Sequence, residues 1–241
     1  MRRVLIDLIL AGKDALVIGK GEELEHKTVK LLDARARVTV LGQHFTRRLV
    51  SLASRKPKRV GLVSARPTPA TVRRMVERIA PQVVFISTGD ARLDEKLSEA
   101  AREAKPRAPL VCVVDDPRLN DFNMPAIAKI GGIRIGVATA GQSPAMAGIL
   151  RSKIEKMITP EEVLQVRLQG YIRKASRRHL EDASSRKAFA YKVIQDDEIG
   201  ALLKKRDYTG ARRLAEKMLT DASAAASQEG RRARGGAKQH G

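Results

Sequence analysis

The sequence contains few aromatic residues and a single cysteine, and each shortage excludes a class of protein. Phe, Tyr and Trp make up 3% of the 241 residues, and tryptophan is absent. The core must therefore be built from Val, Ile, Leu and Ala, and the aromatic side chains that stack on single-stranded nucleic acid are scarce. Cys112 is the only cysteine, so one chain cannot form a disulfide framework, and a reducing cytoplasm is the expected location.

No apolar run in the sequence is long enough to cross a bilayer. The first twenty residues, MRRVLIDLILAGKDALVIGK, begin with basic and then apolar residues, as signal peptides do. However, Asp7 and the stretch 12–14 interrupt the apolar character. We expect a soluble intracellular protein with no membrane partner.

Acidic residues are also in short supply. The chain carries 47 Lys and Arg against 27 Asp and Glu, which gives a net charge of +20 and indicates a polyanionic partner. The basic residues are spread along the chain, which disfavours a nucleic-acid reader. A nucleic-acid-binding protein stays open as an alternative because of the net charge and the sequence GRRARGG near the C terminus.

Short apolar runs alternate with amphipathic stretches through residues 1–115. The predicted strands are 15–18, 37–41, 59–64, 83–87 and 110–114, and most are apolar throughout, as in strands covered on both faces. Thr68 with Pro69, and Asp90, are helix start signals between them. This repeated β-α pattern predicts an α/β fold with a Rossmann-like parallel sheet.

The pattern changes after residue 115. Residues 116–159 contain one further strand at 133–139 and a helix that begins at Ser143 and Pro144, and we predict a small strand-helix segment there that serves the active site and dimerisation. Residues 160–221 predict an all-helical domain, and residues 222–241 a disordered basic tail.

Apolar residues in the helical domain exceed what three short helices can bury alone, which predicts that a second copy covers them. These residues are Val163, Val166, Leu168, Ile172, Phe189, Val193 and Ile194.

A glycine loop, Gly19-Lys20-Gly21, stands between the first strand and the first helix. A dinucleotide fold turns tightly there and offers backbone N–H groups to a pyrophosphate, but a structural turn also favours glycine. Leu24 occupies the third fingerprint position, and Leu41 and Gly42 stand where a ribose-binding acid is expected. The loop by itself fits a cofactor site and a structural turn equally.

Two acids follow the last predicted strand of the sheet, in VCVVDDPRLNDFNMPA. Asp115 directly ends the strand, whereas Asp116 precedes Pro117 and is typical of a turn. From the residues alone, Asp115 fits either a capping role or a general base at the sheet edge where such folds bind ligands.

The glycine loop, the two acids and the segments around them follow one another along the chain as in the siroheme synthase family, which the sequence resembles. The members of this family are bifunctional precorrin-2 dehydrogenase/sirohydrochlorin ferrochelatases. The likeness extends over about residues 4–220. It implies NAD-dependent oxidation of precorrin-2, insertion of Fe²⁺ as a substrate, a tetrapyrrole partner and a homodimer. The segments that carry it are ALVIGKGEELEHKTVKLL, RVTVLG, ISTGDARLDEKLSEAAR, VVDDPRLNDFNMPA, GVATAGQSPAMAGILRSKIE and YIRKASRRHLEDASSRKAFAYKVI.

The resemblance also assigns roles to single residues. Asp115 matches the catalytic aspartate, which implies a general base and a transient metal ligand. The implied cofactor contacts are Gly19, Lys20, Gly21, Glu22, Glu23, Gln43, His44, Ser87 and Thr88, and the implied substrate contacts are Asn123, Thr139 and Ser143. Lys20, Leu24 and Gly89 depart from the family pattern, which has glycine, alanine and aspartate there.

Two further alternatives stay open. One is a partial enzyme that only dehydrogenates or only inserts metal, and the other is a non-catalytic regulator that binds a tetrapyrrole or a nucleotide. No His/Cys cluster has the spacing of a stable metal site.

Overall fold

The computed structural model describes the backbone of residues 3–236 and the side chains of residues 3–224. The chain divides into two units, one ending at Met124 and the other beginning at Pro125. Each unit has its own hydrophobic clusters.

A five-stranded parallel sheet forms the centre of the first unit, and its strand order is β3-β2-β1-β4-β5. The strands are β1 (Asp14–Gly19), β2 (Arg37–Gly42), β3 (Val60–Ser64), β4 (Val83–Ser87) and β5 (Leu110–Val113). This arrangement confirms the predicted Rossmann-like sheet, since each strand lies within two residues of its predicted bounds.

Helices connect the strands of this sheet. They are α1 (Glu22–Asp33), α2 (Arg47–Arg55), α3 (Pro69–Ile79) and α4 (Ala91–Glu103). Thr68 and Asp90 cap α3 and α4 with side-chain oxygens, as their sequence signals predict. The sequence patterns did not reveal α2, whose nine residues bury only Leu49.

Alternate strand residues form two apolar clusters, one on each face of the sheet. Val17, Val40 and Phe85 pack with α1 and α2, whereas Ile18 and Ile86 pack with α3 and α4. The strands are therefore buried on both faces, and their polar groups emerge only at their ends.

The second unit begins with an antiparallel hairpin of β6 (Ala126–Ile130) and β7 (Ile133–Val137), followed by α5 (Pro144–Met157). β7 and α5 agree with the predicted strand and helix. The sequence pattern does not predict β6, whose five residues follow Pro125 and include a lysine.

The rest of the second unit is helical: α6 (Pro160–Ala175), α7 (Ala183–Ile194), α8 (Asp197–Lys204) and α9 (Tyr208–Gly236). The prediction that a second copy covers the apolar residues of the helical domain is wrong for four of them. This unit buries them in its own cluster: Leu168, Ile172, Phe189 and Val193. Val166 and Ile194 do remain about half exposed.

The predicted disordered tail is wrong for residues 222–236, whose backbone continues α9. The sequence of this segment is rich in alanine, which has the highest helix propensity of any residue type, and this favours extension of the preceding helix. Residues 237–241 of the predicted tail lie outside the described residues. Within residues 3–236, no helix combines the length and the apolar character that crossing a bilayer requires.

Candidate functional site

The glycine loop lies at the point where the strand order of the sheet reverses. β1 pairs with β2 on one side and with β4 on the other, and α1 and α4 pack on opposite faces. Open parallel sheets bind ligands in the crevice that this reversal creates at the carboxyl ends of the strands. The predicted cofactor loop therefore occupies the position that the fold favours for a ligand.

Gly19 brings this loop into direct contact with β4. A Cβ atom at Gly19 would lie 1.9 Å from the Ser87 carbonyl oxygen, and the backbone φ is 143°. The Lys20 N–H donates to the same oxygen at 3.2 Å. Only glycine fits this close approach.

Gly21 has a different role, because it leaves room above the loop. It precedes α1 with a φ of 74°, and a Cβ atom there would meet no other group within 4 Å. The first N–H groups of α1 thus face space that a pyrophosphate can occupy, and the site fits such a group. The acidic Glu23 beside it is paired with Lys27, whose Nζ lies 3.4 Å from the carboxylate.

Two departures from the family pattern are linked in space. A Cβ atom at Gly89 would lie 3.1 Å from Cε and 3.4 Å from Nζ of Lys20. Glycine at position 89 therefore makes room for the lysine in the loop. The pair places an ammonium group at the carboxyl end of β4.

Ser87 joins the glycine loop to Asp115. Its backbone carbonyl accepts from Lys20, and its hydroxyl donates to Asp115 Oδ2 at 3.3 Å. The structure thus brings together three predicted site residues that are far apart in the sequence. The Asp115 carboxylate is exposed at the end of β5, where an incoming substrate can reach it.

Asp116 behaves differently from its neighbour. Its carboxylate caps a short 3₁₀ turn by accepting from the Arg118 N–H, and it pairs with the Arg118 guanidinium at 2.7 Å. The hydrogen bond from Arg118 lowers the pKa of Asp116. The turn-forming role predicted for Asp116 is confirmed.

Residues that the sequence patterns did not reveal hold the segment after β5 in place. The side-chain oxygens of Asn120 and Asp121 accept from the backbone N–H groups of Val113 and Val111, at 2.6 and 2.8 Å. Arg102 of α4 contacts Asp121 at 3.3 Å. These bonds occupy the free edge of β5 and fix the turn that carries Asp115. The only sequence signal for this role is the Asn-Asp pair itself, which stands shortly after a predicted strand.

Phe122 and Met124 pack against the apolar cluster of α1, α2 and the sheet. The Phe122 ring meets Phe85 edge-on, with centroids 5.3 Å apart. Asn123 is exposed, and its side-chain oxygen accepts from Asn120 at 2.8 Å.

Gln43 and His44 follow β2 and are exposed. Gly42, just before them, must be glycine, because a Cβ atom there would lie 2.6 Å from the Gly19 carbonyl oxygen. The second predicted cofactor segment is therefore adjacent to the glycine loop.

Thr88 is buried, and its polar groups bind Asp94 at the start of α4. Its hydroxyl and its N–H both donate to Asp94 Oδ1, at 2.6 and 3.0 Å. The side chain fixes the start of α4, so its polar groups are already satisfied within the protein.

Thr139 and Ser143 build the turn before α5 in the second unit. The Thr139 hydroxyl donates to the Ser143 carbonyl at 3.0 Å, and the Ser143 hydroxyl accepts from the Met146 N–H. Ser143 is thus the N-cap that its sequence context predicts.

Among the side chains of residues 3–224, no group of three or more His, Cys, Asp or Glu could hold a metal ion. Cys112 is buried in β5, and burial raises the pKa of its thiol to about 11. It lies in the core, so a reactive thiolate at neutral pH is not expected.

Known proteins resemble this chain over most of its length. Siroheme synthase 2 of Yersinia enterocolitica is 30% identical over 201 residues, and siroheme synthase 3 of Aeromonas hydrophila is 25% identical over 220 residues. These matches cover 82% and 89% of the chain, but only 40% and 43% of the relatives' own length.

A solved structure described as SirC, precorrin-2 dehydrogenase, shares the fold. The TM-score is 0.69, at 15% sequence identity, over 89% of this chain and 100% of that one.

The family described as "Putative NAD(P)-binding" matches residues 6–126, which is just over half of the chain. The matched stretch contains the glycine loop, the switch point and Asp115, the elements that form the candidate site. The chain belongs to this NAD(P)-binding family.

Proposed function

We propose that this protein oxidises precorrin-2 to sirohydrochlorin with a nicotinamide dinucleotide as the hydride acceptor. The observation that carries the proposal is the double role of Ser87, which binds the glycine loop through its carbonyl and Asp115 through its hydroxyl. A dinucleotide loop and an exposed carboxylate are thereby held on one edge of the sheet. Similarity to siroheme synthases supports the choice of substrate.

The reaction removes one hydride and one proton from the tetrapyrrole. The bound nicotinamide supplies the hydride acceptor. The Asp115 carboxylate accepts the proton, and the Ser87 hydroxyl orients it by donating to Oδ2. The N–H groups at the start of α1 and the Lys20 ammonium bind the pyrophosphate, and Gly21 leaves it room.

The same carboxylate can serve a second step, the insertion of Fe²⁺ into sirohydrochlorin. This step releases two pyrrole N–H protons. Asp115 can accept one of them and contact the incoming metal, and the other passes to solvent. The iron is a substrate in this proposal. Asn123, Thr139 and Ser143 are proposed to contact the tetrapyrrole, whose carboxylates also suit a protein with a net charge of +20.

We propose that the working form is a cytoplasmic homodimer, associated through the hairpin and α5. Large apolar side chains remain exposed there. They are Ile127, Met146, Ile149, Leu150 and Met157, with exposed fractions from 37% to 72%. The four residues on α5 lie on one helix face by their spacing, which suits a partner surface.

The proposal is tested by mixing the intact chain with precorrin-2 and an oxidised dinucleotide, and following sirohydrochlorin by absorbance. Fe²⁺ is added once oxidation is complete. We expect oxidation first and siroheme formation second. Absence of the first step would refute the dehydrogenase, and oxidation without metal insertion would restrict the protein to dehydrogenation.

A further inference from the structure

The two edges of the parallel sheet differ in charge. All five strands run in the same direction, so the segments that precede them meet at one edge, called the amino edge here, and the segments that follow them meet at the carboxyl edge. The amino edge contains eight basic and two acidic residues, in the segments 12–14, 33–37, 56–59, 80–82 and 104–109. The carboxyl edge contains two basic and four acidic residues, in the segments 19–22, 42–46, 64–68, 87–90 and 114–116. The positive charge of the sheet edges therefore lies opposite the candidate site.

Six of the eight basic side chains at the amino edge are available to a partner. Arg37 is paired with Asp14 at 2.6 Å, and the partly buried Arg59 donates to the Leu32 carbonyl at 2.8 Å. The other six are exposed, and none pairs with a carboxylate among the side chains of residues 3–224: Lys13, Arg35, Lys56, Lys58, Lys105 and Arg107.

These six cations form a row across the sheet. In strand order the row contains Lys56 and Lys58 before β3, Arg35 before β2, Lys13 before β1, and Lys105 and Arg107 before β5. Four strand spacings of about 4.8 Å make it about 19 Å long. The spread of basic residues along the sequence disfavours a nucleic-acid reader, but the fold gathers these six at one edge.

The helix ends at the amino edge do not account for the row. α1 to α4 each end at this edge, and the helix macrodipole attracts cations to a C terminus. Each helix already has one basic residue in its last turn: Lys30, Arg55, Arg78 and Arg102. The attraction falls off within that turn, whereas the cations of the row lie beyond the last helical residue.

The composition of the amino edge indicates which polyanion it fits. It has no aromatic residue, its apolar residues are alanines, prolines and one glycine, and Gln82 is its only uncharged polar residue. Protein interfaces depend on large anchors, single strands stack on aromatic rings, and RNA duplexes are recognised partly through 2′-hydroxyls. Duplex DNA carries a dense, regular array of phosphates that cations alone can bind. We propose that the amino edge binds duplex DNA through its backbone phosphates, without sequence preference.

Fluorescence anisotropy tests this inference with the intact chain and a labelled DNA duplex of about 20 base pairs. Nonspecific binding of this kind has a dissociation constant on the order of 10⁻⁴ to 10⁻⁶ M at physiological salt. If all six cations contact phosphates, the logarithm of the dissociation constant should rise with the logarithm of the salt concentration with a slope of about 5. A second duplex of unrelated sequence should give the same values.

Paired variants locate the contact at the amino edge. Lys56→Gln combined with Lys58→Gln should lower the slope by about 2 and weaken binding by about tenfold. Lys105→Gln combined with Arg107→Gln, at the other end of the row, should do the same. The matched control is Lys187→Gln combined with Lys192→Gln, which removes two exposed lysines from α7 in the second unit and should leave the slope unchanged.

The absence of DNA binding at about 50 mM salt would overturn the inference, and so would an equal loss in the α7 control. Tighter binding of poly-L-glutamate of the same charge would indicate an acidic protein partner instead. Tighter binding of single-stranded DNA or of an RNA duplex would likewise contradict the assignment to duplex DNA. The row lies at the edge opposite the candidate site, so these outcomes do not depend on the proposed oxidation.

Discussion

The two units differ in how completely they cover their apolar side chains. In the first, α1 to α4 cover both faces of the sheet, and most of the exposed large apolar residues lie in the segment 4–9 that precedes β1. In the second, α6 to α9 share a closed cluster, whereas the hairpin and α5 leave large apolar residues at the surface.

This difference separates two kinds of role. A sheet with both faces buried offers its polar groups only at strand ends, and the site residues of the first unit collect there. An apolar surface without a cover favours association with another protein surface. We therefore propose dinucleotide binding and proton transfer for the strand ends of the first unit, and self-association for the hairpin and α5.

Replacing Asp115 by asparagine tests the chemical half of this comparison and should give the largest effect. The amide keeps the shape of the side chain but cannot accept a proton. Positioned general bases contribute on the order of 10² to 10⁴ in rate, so kcat for precorrin-2 oxidation should fall by that factor, and iron insertion should fall with it.

Asp116→Asn is the matched control for this prediction. Asp116 is bound to Arg118, so its loss should loosen the turn and leave turnover nearly unchanged. Because its folded pKa is lowered, any stability it contributes is present above its unfolded pKa and is lost as the pH falls through the folded value. Comparable losses in both variants would show that the turn, and not the Asp115 carboxylate, matters.

The two loop glycines should respond differently to alanine. At Gly19 the added methyl group would collide with the Ser87 carbonyl, so β1 and β4 must move apart, and the free energy of unfolding should fall by about 3 kcal/mol or more. At Gly21 no contact is made and only the backbone conformation, with φ 74° and ψ −157°, is penalised, by about 1–3 kcal/mol. Urea unfolding measures both values, and equal losses would contradict the close contact at Gly19.

Ile149→Glu tests the association half of the comparison. The residue is 49% exposed on α5, so a charge there should leave the monomer folded while weakening the dimer by about tenfold or more. Light scattering against concentration, with circular dichroism as the folding control, measures the effect. Val50→Glu is the matched control, because it adds the same charge at a similarly exposed apolar residue of α2, in the first unit. A monomer in the unmodified chain would refute self-association.

The pH dependence of stability tests the completeness of the first unit's core, and its effect should appear only above about pH 9. The pKa of the Cys112 thiol is raised from its ordinary value of 9.0 to about 11 by burial. Its contribution is fully present below pH 9 and is lost as the pH rises through 11, at up to about 1.4 kcal/mol per pH unit. Cys112→Ala should flatten this slope in urea titrations between pH 9 and 11. An unchanged slope would mean that the thiol is not the cause.

The sheet could be predicted from the sequence because its strands are apolar throughout and its helices have clear start signals. The sequence pattern does not predict α2 or β6, because each element is short. Their stability depends on tertiary contacts, such as the hydrogen bond from Thr46 to Glu25 before α2. The Ala-rich residues after 222 lack an apolar stripe, so the sequence pattern predicts a tail there in spite of their helix propensity.

Sequence motifs located the glycine loop and Asp115, but not the bonds that join them. The contact of Ser87 with both depends on the register of β1, β4 and β5, which a sequence pattern does not specify. The roles of Asn120 and Asp121 depend on an unpaired strand edge, which exists only once the strand order is known.

The stoichiometry of a single turnover is the most direct test of the proposed chemistry at this sheet edge. Excess protein is mixed with precorrin-2 and oxidised dinucleotide, and reduced nicotinamide and sirohydrochlorin are followed together. We expect one reduced nicotinamide to form for each sirohydrochlorin, at the same rate, with both signals lost in Asp115→Asn. Sirohydrochlorin formation without reduced nicotinamide, or an undiminished rate in Asp115→Asn, would contradict hydride transfer at this site.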